Sequence, residues 1–319
     1  MDQLKITCVE KYVLLQQAFE FNFPVEYTEH QHLTQQQFEQ DVHDQDIIIL
    51  SDLILTEAVL KNNPKLQLLA LCSTGYNHVD LDLLKKYNVR VCNIRGYAGD
   101  AVAEHAFTFM INLIKHFPAQ VAGVAQNEWA KGSSGFYIAA PMGELQHKTL
   151  TILGKGEIGL SLAKKAEAFG MRVIFAERQN ASECRAGYVP FDDAIAQADV
   201  LSLHCELTPT TQQLINADVL AKMKAGSLLI NVGRGGLVDQ HAIIDAIESG
   251  HLAGYGADVL DQEPPPVDHP LVVLQQKYPN VMLTGHVAWA TNEAQQRLFD
   301  ILQTNVNAFV TGQPQNVVV

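Results

Sequence analysis

The sequence lacks any uninterrupted stretch of about 20 apolar residues, the length that a membrane-spanning helix needs. Basic residues are also scarce, because 22 Lys and Arg stand against 35 Asp and Glu and leave a net charge of −13. Binding to nucleic acid requires a basic face for the phosphates, so this balance argues against it. We therefore expect neither a membrane nor a nucleic acid among the partners.

Cysteine is sparse as well: the chain has five, an odd number, and none of them forms a C-x-x-C pair. Cys72 and Cys92 lie in apolar runs, where a thiol serves as a small hydrophobic side chain. The N-terminus shows no basic region followed by an apolar run, as a secretory signal would. We expect reduced thiols in a cytoplasmic protein without a metal site, the alternative being a disulfide framework or a zinc site.

The pattern of short and long segments indicates the fold class. With 319 residues, 47% of them hydrophobic, the chain is long enough for two domains with sizeable cores. Short apolar runs at 46–50 and 149–153 alternate with helical patterns such as 10–19 and 102–115. Nearly continuous apolar strands of this kind form parallel sheets that helices cover on both faces. The predicted fold class is α/β.

A glycine-rich motif, G-K-G-E-I-G, begins at Gly154, directly after a predicted strand and at the start of a predicted helix. In that context the motif is typical of a Rossmann dinucleotide-binding domain. Gly154 permits the tight turn, Gly156 lets the backbone approach a pyrophosphate, and Gly159 lets the helix pack closely on the strand. The amides near Glu157 and Ile158 are then expected to face the phosphates. A tight strand–helix turn without a ligand is the alternative.

The residue that ends the next predicted strand bears on the choice of cofactor. Glu177 stands where a carboxylate accepts the hydroxyl groups of the adenosine ribose. Its negative charge would repel the 2′-phosphate of NADP, so NAD(H) is favoured over NADP(H). The neighbouring Arg178 keeps NADP open, because a guanidinium can hold that phosphate.

The position of the glycine motif divides the chain. A Rossmann domain begins near its first strand, so the residues well before it belong to a second domain with its own strands and helices. We expect residues 1–98 and 288–319 to form a smaller, flavodoxin-like substrate domain. Residues 99–287 are expected to form the dinucleotide-binding domain, with the active site in the cleft between the domains.

Three polar residues follow strands downstream of the motif. Arg234 lies between glycines and suits a carboxylate, Glu263 precedes three prolines that fix its direction, and His286 follows an apolar strand. Taken singly, Arg234 could make a surface or phosphate contact and His286 could be structural. Together they match the reduction of a 2-keto acid, which needs a cation for the carboxylate, a proton donor and a group that orients the donor.

With these residues in view, the sequence resembles the D-isomer-specific 2-hydroxyacid dehydrogenases over essentially its full length. The resemblance rests on the motif at Gly154–Gly159 and on five further stretches: 73–80, 101–105, 231–235, 258–264 and 285–289. It implies that Arg234, Glu263 and His286 are the catalytic residues. It also implies a substrate loop at Thr74, Gly75 and Tyr76. The residues implied to line the nicotinamide pocket are Val102, Val232, Gly233 and Asp258.

Within the family the best likeness is to the bacterial glycerate dehydrogenases, also called hydroxypyruvate reductases, carried by residues 93–97, 176–178 and Trp289. This implies reduction of hydroxypyruvate with NADH, with His286 as the proton donor, by a homodimer. Glyoxylate or another short 2-keto acid is the alternative substrate. The sequence departs from the family pattern at Tyr255, which is bulkier than usual, and at Gly285, where proline is common. Some relatives of this fold are non-catalytic nucleotide sensors, but the complete Arg–Glu–His set favours an enzyme.

Overall fold

The computed structural model describes residues 3–14 and 17–319. The chain forms two compact units, the first made of Met1–Ala98 with Ala290–Val319 and the second of Gly99–Trp289. Each unit is built on its own parallel β-sheet, so the predicted α/β class is confirmed.

The described residues contain eleven strands and twelve α-helices, numbered here in chain order. The strands are β1 (Leu4–Cys8), β2 (Val25–Glu29), β3 (Ile47–Leu50), β4 (Leu68–Leu71), β5 (Arg90–Cys92), β6 (Thr149–Leu153), β7 (Arg172–Ala176), β8 (Val200–Leu203), β9 (Ser227–Asn231), β10 (Leu252–Ala257) and β11 (Val281–Leu283). The helices are α1 (Gln35–Asp41), α2 (Glu57–Asn62), α3 (Leu81–Lys86), α4 (Gly99–Ile114), α5 (Phe117–Ala125), α6 (Glu128–Lys131), α7 (Glu157–Ala168), α8 (Phe191–Gln197), α9 (Ala217–Lys222), α10 (Gln240–Glu248), α11 (Pro270–Lys277) and α12 (Asn292–Val310).

The first unit has five parallel strands in the order β2-β1-β3-β4-β5. This is the flavodoxin-like order, as predicted. Every residue of β3 and β4 is buried, which explains their unbroken Ile and Leu runs, because a central parallel strand is covered on both faces.

The second unit has six parallel strands in the order β11-β10-β9-β8-β6-β7. Beyond β7, Val189 makes a single parallel bridge to Ala176, where the third strand of a Rossmann sheet would lie. The strand order therefore reverses at β6, between β7 and β8. Ligands of open α/β sheets bind outside the carboxyl ends of the strands at such a point, and the glycine motif begins there at Gly154.

The helix predicted at 10–19 is wrong for the described residues of that segment. They contain only a short 3₁₀ helix at Lys11–Val13, and residues 15 and 16 lie outside the described part. The physical reason is Glu10, which is buried and accepts hydrogen bonds from the backbone amides of residues 51–53. Those bonds tie residue 10 to the end of β3 and favour a turn over a continued helix.

Candidate active site

The glycine motif forms a tight turn that requires two of its three glycines. Gly154 has a φ of +107°, and a Cβ there would lie 2.5 Å from the carbonyl oxygen of His204. A Cβ on Gly159 would lie 2.2 Å from the carbonyl oxygen of Gly154, so α7 packs directly on the turn. A Cβ on Gly156 would meet no atom within 4 Å. The open space above Gly156 fits the close approach of a pyrophosphate.

The first turn of α7 presents its backbone amides to the same space. Gly156 is the N-cap residue of this 12-residue helix, and its cap has no side-chain hydrogen bond. The first amides of an α-helix have no partner within the helix, and the helix dipole favours an anion there. The residues of this turn, including Glu157 and Ile158, therefore fit a dinucleotide.

Glu177 follows β7 and lies level with the glycine turn, because Ala176 pairs with Leu153. Its carboxylate is buried and accepts bonds from Arg185 Nε at 2.8 Å and Arg185 Nη2 at 2.6 Å. The bonds from the Arg185 side chain, followed by those from the Arg178 and Arg185 amides, lower the pKa of Glu177 to about 2. Arg185 was not predicted from the sequence. It returns to the end of β7 only because Val189 forms a bridge to Ala176, a contact that the sequence does not reveal.

The loop after β9 carries the predicted Arg234. Asn231, fully buried at the end of β9, donates from Nδ2 to the carbonyl of Arg234 at 2.9 Å. Its Oδ1 accepts from the amide of Gly233 at 3.1 Å. A Cβ on Gly235 would lie 1.9 Å from the backbone of Leu260, so the loop packs against the chain leaving β10. Asn231 thus fixes the backbone that aims Arg234, a role the sequence did not reveal.

Glu263 and His286, which follow β10 and β11, are in direct contact. His286 Nδ1 lies 2.7 Å from Glu263 Oε2, and Glu263 Oε1 accepts from the amide of Leu260 at 2.7 Å. Both side chains are partly exposed. Because Nδ1 is engaged, Nε2 is the ring nitrogen left to face a substrate.

The electrostatics of this pair favour a charged histidine. The hydrogen bond that His286 donates to Glu263 raises the pKa of His286 above its ordinary value, against the opposing effect of burial. Burial raises the pKa of Glu263, but the bonds from His286 and Leu260 outweigh it and leave that pKa below its ordinary value. The positive charge of Arg234 lowers both pKa values, so the three predicted residues act on one another electrostatically.

The buried Asp258 stabilises the loop that carries His286. Its buried carboxylate accepts from Thr284 Oγ1 at 2.5 Å and from the amides of Val287 and Ala288 at 2.9 and 2.8 Å. The Oγ1 atom of Thr284 also lies 2.9 Å from His105 Nε2 on α4. The sequence placed Asp258 beside the nicotinamide, and that role stays a prediction. Thr284 and His105 were missed, because their pairing joins residues 179 positions apart.

The other predicted residues fall in both units. In the second unit, Val102 on α4 and Val232 after β9 are buried, while Gly233 is half-buried. The predicted substrate loop follows β4 in the first unit. There Thr74 Oγ1 donates to the carbonyl of Ile94 at 2.7 Å, and Tyr76 is exposed.

Two further properties of the described residues bear on function. Residues 3–14 and 17–319 include no helix that is long and apolar enough to cross a membrane. The same residues contain no group of three or more His, Cys, Asp or Glu placed to hold a metal ion.

Comparison with known proteins agrees with this geometry. Residues 107–288 match the model of the D-isomer specific 2-hydroxyacid dehydrogenase NAD binding domain. The glycerate dehydrogenase of Methylorubrum extorquens is 38% identical over 300 residues, 94% of each chain. The hydroxypyruvate reductase of Blautia hydrogenotrophica is 33% identical over 87% of this chain and 86% of its own.

A solved structure gives the same result for the whole chain. The NADPH-dependent glyoxylate/hydroxypyruvate reductase of Sinorhizobium meliloti superposes with a TM-score of 0.84 at 27% identity, covering 99% of this chain and 98% of its own. The strand order, the glycine turn and these matches lead to one conclusion. The chain is an oxidoreductase of the D-isomer-specific 2-hydroxyacid dehydrogenase family, with an NAD(P)-binding domain.

Proposed function

We propose that the protein reduces a short 2-keto acid with NADH, and that hydroxypyruvate, which yields D-glycerate, is its best substrate. The observation that carries this proposal is the 2.7 Å contact between His286 and Glu263 in the unit that holds the glycine turn. The choice of hydroxypyruvate is supported by the two relatives named glycerate dehydrogenase and hydroxypyruvate reductase.

Arg234 is assigned to the carboxylate of the substrate. Its guanidinium suits a carboxylate because it offers two parallel N–H donors. Arg234 Nη1 donates to the carbonyl of Gly233 at 2.8 Å, which fixes one side of the fork and leaves the opposite side for the ligand. The predicted roles of Thr74, Gly75 and Tyr76 in holding the substrate remain part of the proposal.

His286 is assigned as the proton donor to the carbonyl oxygen of the substrate. NADH, when bound at the glycine turn, would supply the hydride for the carbonyl carbon. As negative charge develops on the oxygen, the imidazolium gives up the proton on Nε2, while Glu263 holds Nδ1 and stabilises the charged form. The roles assigned to Val102, Val232, Gly233 and Asp258 at the nicotinamide belong to the same proposal.

We propose a cytoplasmic location, and the state of the cysteines supports it. None of the five cysteines is in a disulfide, which supports a reducing, cytoplasmic location.

The second unit exposes an apolar group around α5, defined by Phe117, Val121, Val124, Trp129 and Phe136. Large exposed apolar groups mark interaction sites, so we infer that this surface joins two copies in a homodimer.

A substrate panel tests the proposed reaction. NADH oxidation is followed by the loss of its absorbance with hydroxypyruvate, glyoxylate and pyruvate at matched concentrations. We expect the highest kcat/KM with hydroxypyruvate. A higher value for glyoxylate would correct the substrate but not the reaction. NADH binding without oxidation by any of the three would overturn the proposal and favour a nucleotide sensor.

A further inference from the structure

The carboxylate of Glu177, which is expected to bind the adenosine ribose, is covered in this protein. The side chain of Glu177 is 3% exposed, whereas that of Arg185, which lies on it, is 50% exposed. At this position the surface therefore presents the guanidinium of Arg185 and not the carboxylate of Glu177.

The hydrogen bonds of Glu177 are also fully used. A carboxylate has about four acceptor positions. Glu177 accepts from the amides of Arg178 and Arg185 at 2.8 and 3.0 Å, and from Nε and Nη2 of Arg185 at 2.8 and 2.6 Å. A ribose hydroxyl can therefore bond to Glu177 only if Arg185 moves away.

Arg185 makes a second contact, with an aromatic ring. The centre of its guanidinium lies 4.1 Å from the ring centroid of Tyr188. Lys155, from the glycine turn, places Nζ 5.1 Å from the same ring and 4.8 Å from the ring of Phe175. Arg185 and Lys155 thus both lie close to the ring of Tyr188.

The guanidinium keeps unused donors at this place. It has five N–H groups, and Glu177 takes those of Nε and one of Nη2. The remaining N–H groups belong to a half-exposed side chain and suit the oxygens of a phosphate. In a Rossmann domain, the end of this strand is where the 2′ position of the adenosine ribose lies.

We propose that Arg185, by covering Glu177, turns the ribose site into one that accepts a 2′-phosphate, so that the protein uses NADPH as well as NADH. This inference rests on the proposed function, and it revises the preference for NAD that Glu177 alone suggests. Arg185 is then a specificity-determining residue, and Glu177 serves to hold it.

Binding of nucleotide fragments tests this without turnover. Isothermal titration with 2′,5′-ADP and with 5′-AMP measures the contribution of the 2′-phosphate directly. The native protein is expected to bind 2′,5′-ADP at least as tightly as 5′-AMP. Arg185→Ala should weaken 2′,5′-ADP by roughly ten- to hundredfold, the effect of losing charged hydrogen bonds, and spare 5′-AMP.

Three further variants sharpen the test. Glu177→Gln removes the carboxylate that holds Arg185 and should weaken 2′,5′-ADP binding, but by less than Arg185→Ala, because the guanidinium is still present. Arg185→Lys keeps the charge without the planar fork and should give an intermediate affinity. Arg172→Ala removes an exposed arginine from the other end of β7 and should change neither affinity.

Two results would overturn the inference while leaving the proposed function intact. One is a native protein that binds NADH but binds 5′-AMP far more tightly than 2′,5′-ADP. The other is an unchanged ratio of the two affinities in a folded Arg185→Ala protein, with folding checked by its melting temperature. Failure of NADH itself to bind would overturn the proposed function and this inference with it.

Discussion

At the scale of single residues, the proposed chemistry depends on the protonation state of the His286 imidazole. The Glu263 bond raises the pKa of His286, so the imidazolium persists to higher pH than in an isolated histidine. The pKa of Glu263 is lowered, so its carboxylate stays ionised at pH values where an ordinary glutamate begins to take up a proton. There is therefore a range of pH in which His286 is protonated while Glu263 is ionised.

Glu263→Gln should move the pH dependence of reduction. In the proposed mechanism the protonated form of His286 is the donor, so activity is present below its pKa and falls as the pH rises through it. The substitution removes the largest cause that raises this pKa, and the fall should occur at lower pH. The measurement is kcat/KM for hydroxypyruvate against pH at saturating NADH.

The control for that variant is Glu248→Gln, on the exposed end of α10. It removes the same charge away from the pair and should reproduce the native pH profile. An alkaline limb that stays in place in Glu263→Gln would show that Glu263 does not set the pKa of the donor.

At the scale of elements, two glycines of the turn have different roles: Gly159 is needed for packing, and Gly156 for the proposed cofactor binding. Gly159 is needed for α7 to pack on the turn, whereas Gly156 has an extended backbone (φ −87°, ψ −169°) and open space around it. Any residue can adopt the backbone of Gly156. What its position forbids is a side chain in the space of the pyrophosphate.

Gly156→Ala is therefore expected to leave the melting temperature nearly unchanged and to weaken NADH binding by about tenfold or more, since a methyl group would meet the pyrophosphate. Calorimetric titration and thermal unfolding on the same sample measure both effects. Gly132→Ala, where a Cβ lies 3.6 Å from the nearest atom, is the matched control and should bind NADH normally. Native affinity in Gly156→Ala would mean that the cofactor does not pass over this turn.

Element patterns also show what the sequence could and could not predict. Runs of buried apolar residues identified most of the parallel strands. A strand was expected before Asp258, but the range of β10 was not predicted because Gly254 and Gly256 interrupt its apolar pattern. Those glycines are required by tertiary packing, since a Cβ on Gly256 would lie 2.8 Å from Phe109 on α4. The strand β2 was missed as well, because its Glu and Thr residues are typical of an exposed edge.

The residues of the candidate site also fall into those that the sequence predicted and those that it did not. Arg234, Glu263 and His286 were predicted because each is a polar residue after an apolar strand, where parallel strands bring their carboxyl ends together. Asn231 and Arg185 were not predicted, because their roles come from hydrogen bonds that exist only after folding.

At the scale of the whole molecule, a net charge of −13 is compatible with the proposed binding of an anionic substrate and cofactor. Exposed charges act over about 10 Å at ordinary ionic strength, so local cations such as Arg234 dominate in their own site. The apolar group around α5 is the other large-scale feature, because its five residues are 47% to 71% exposed.

The dimer inferred from that surface makes a separate prediction. Light scattering after gel filtration should give twice the mass of one chain for the native protein. Val121→Glu places a charge within the group around α5 and should give the mass of one chain, with the melting curve showing that the units stay folded. Glu20→Lys, an exposed substitution in the first unit, should remain dimeric. A native protein with the mass of one chain would contradict the inference.

The most direct test of the account is the turnover of His286→Ala with hydroxypyruvate and NADH. General acids contribute about 10²- to 10⁴-fold to rate, so we expect kcat to fall by that order while NADH binds as before. His241→Ala, an exposed histidine on α10, should retain native turnover. Near-native turnover in a folded His286→Ala protein would contradict the claim that this imidazole protonates the substrate.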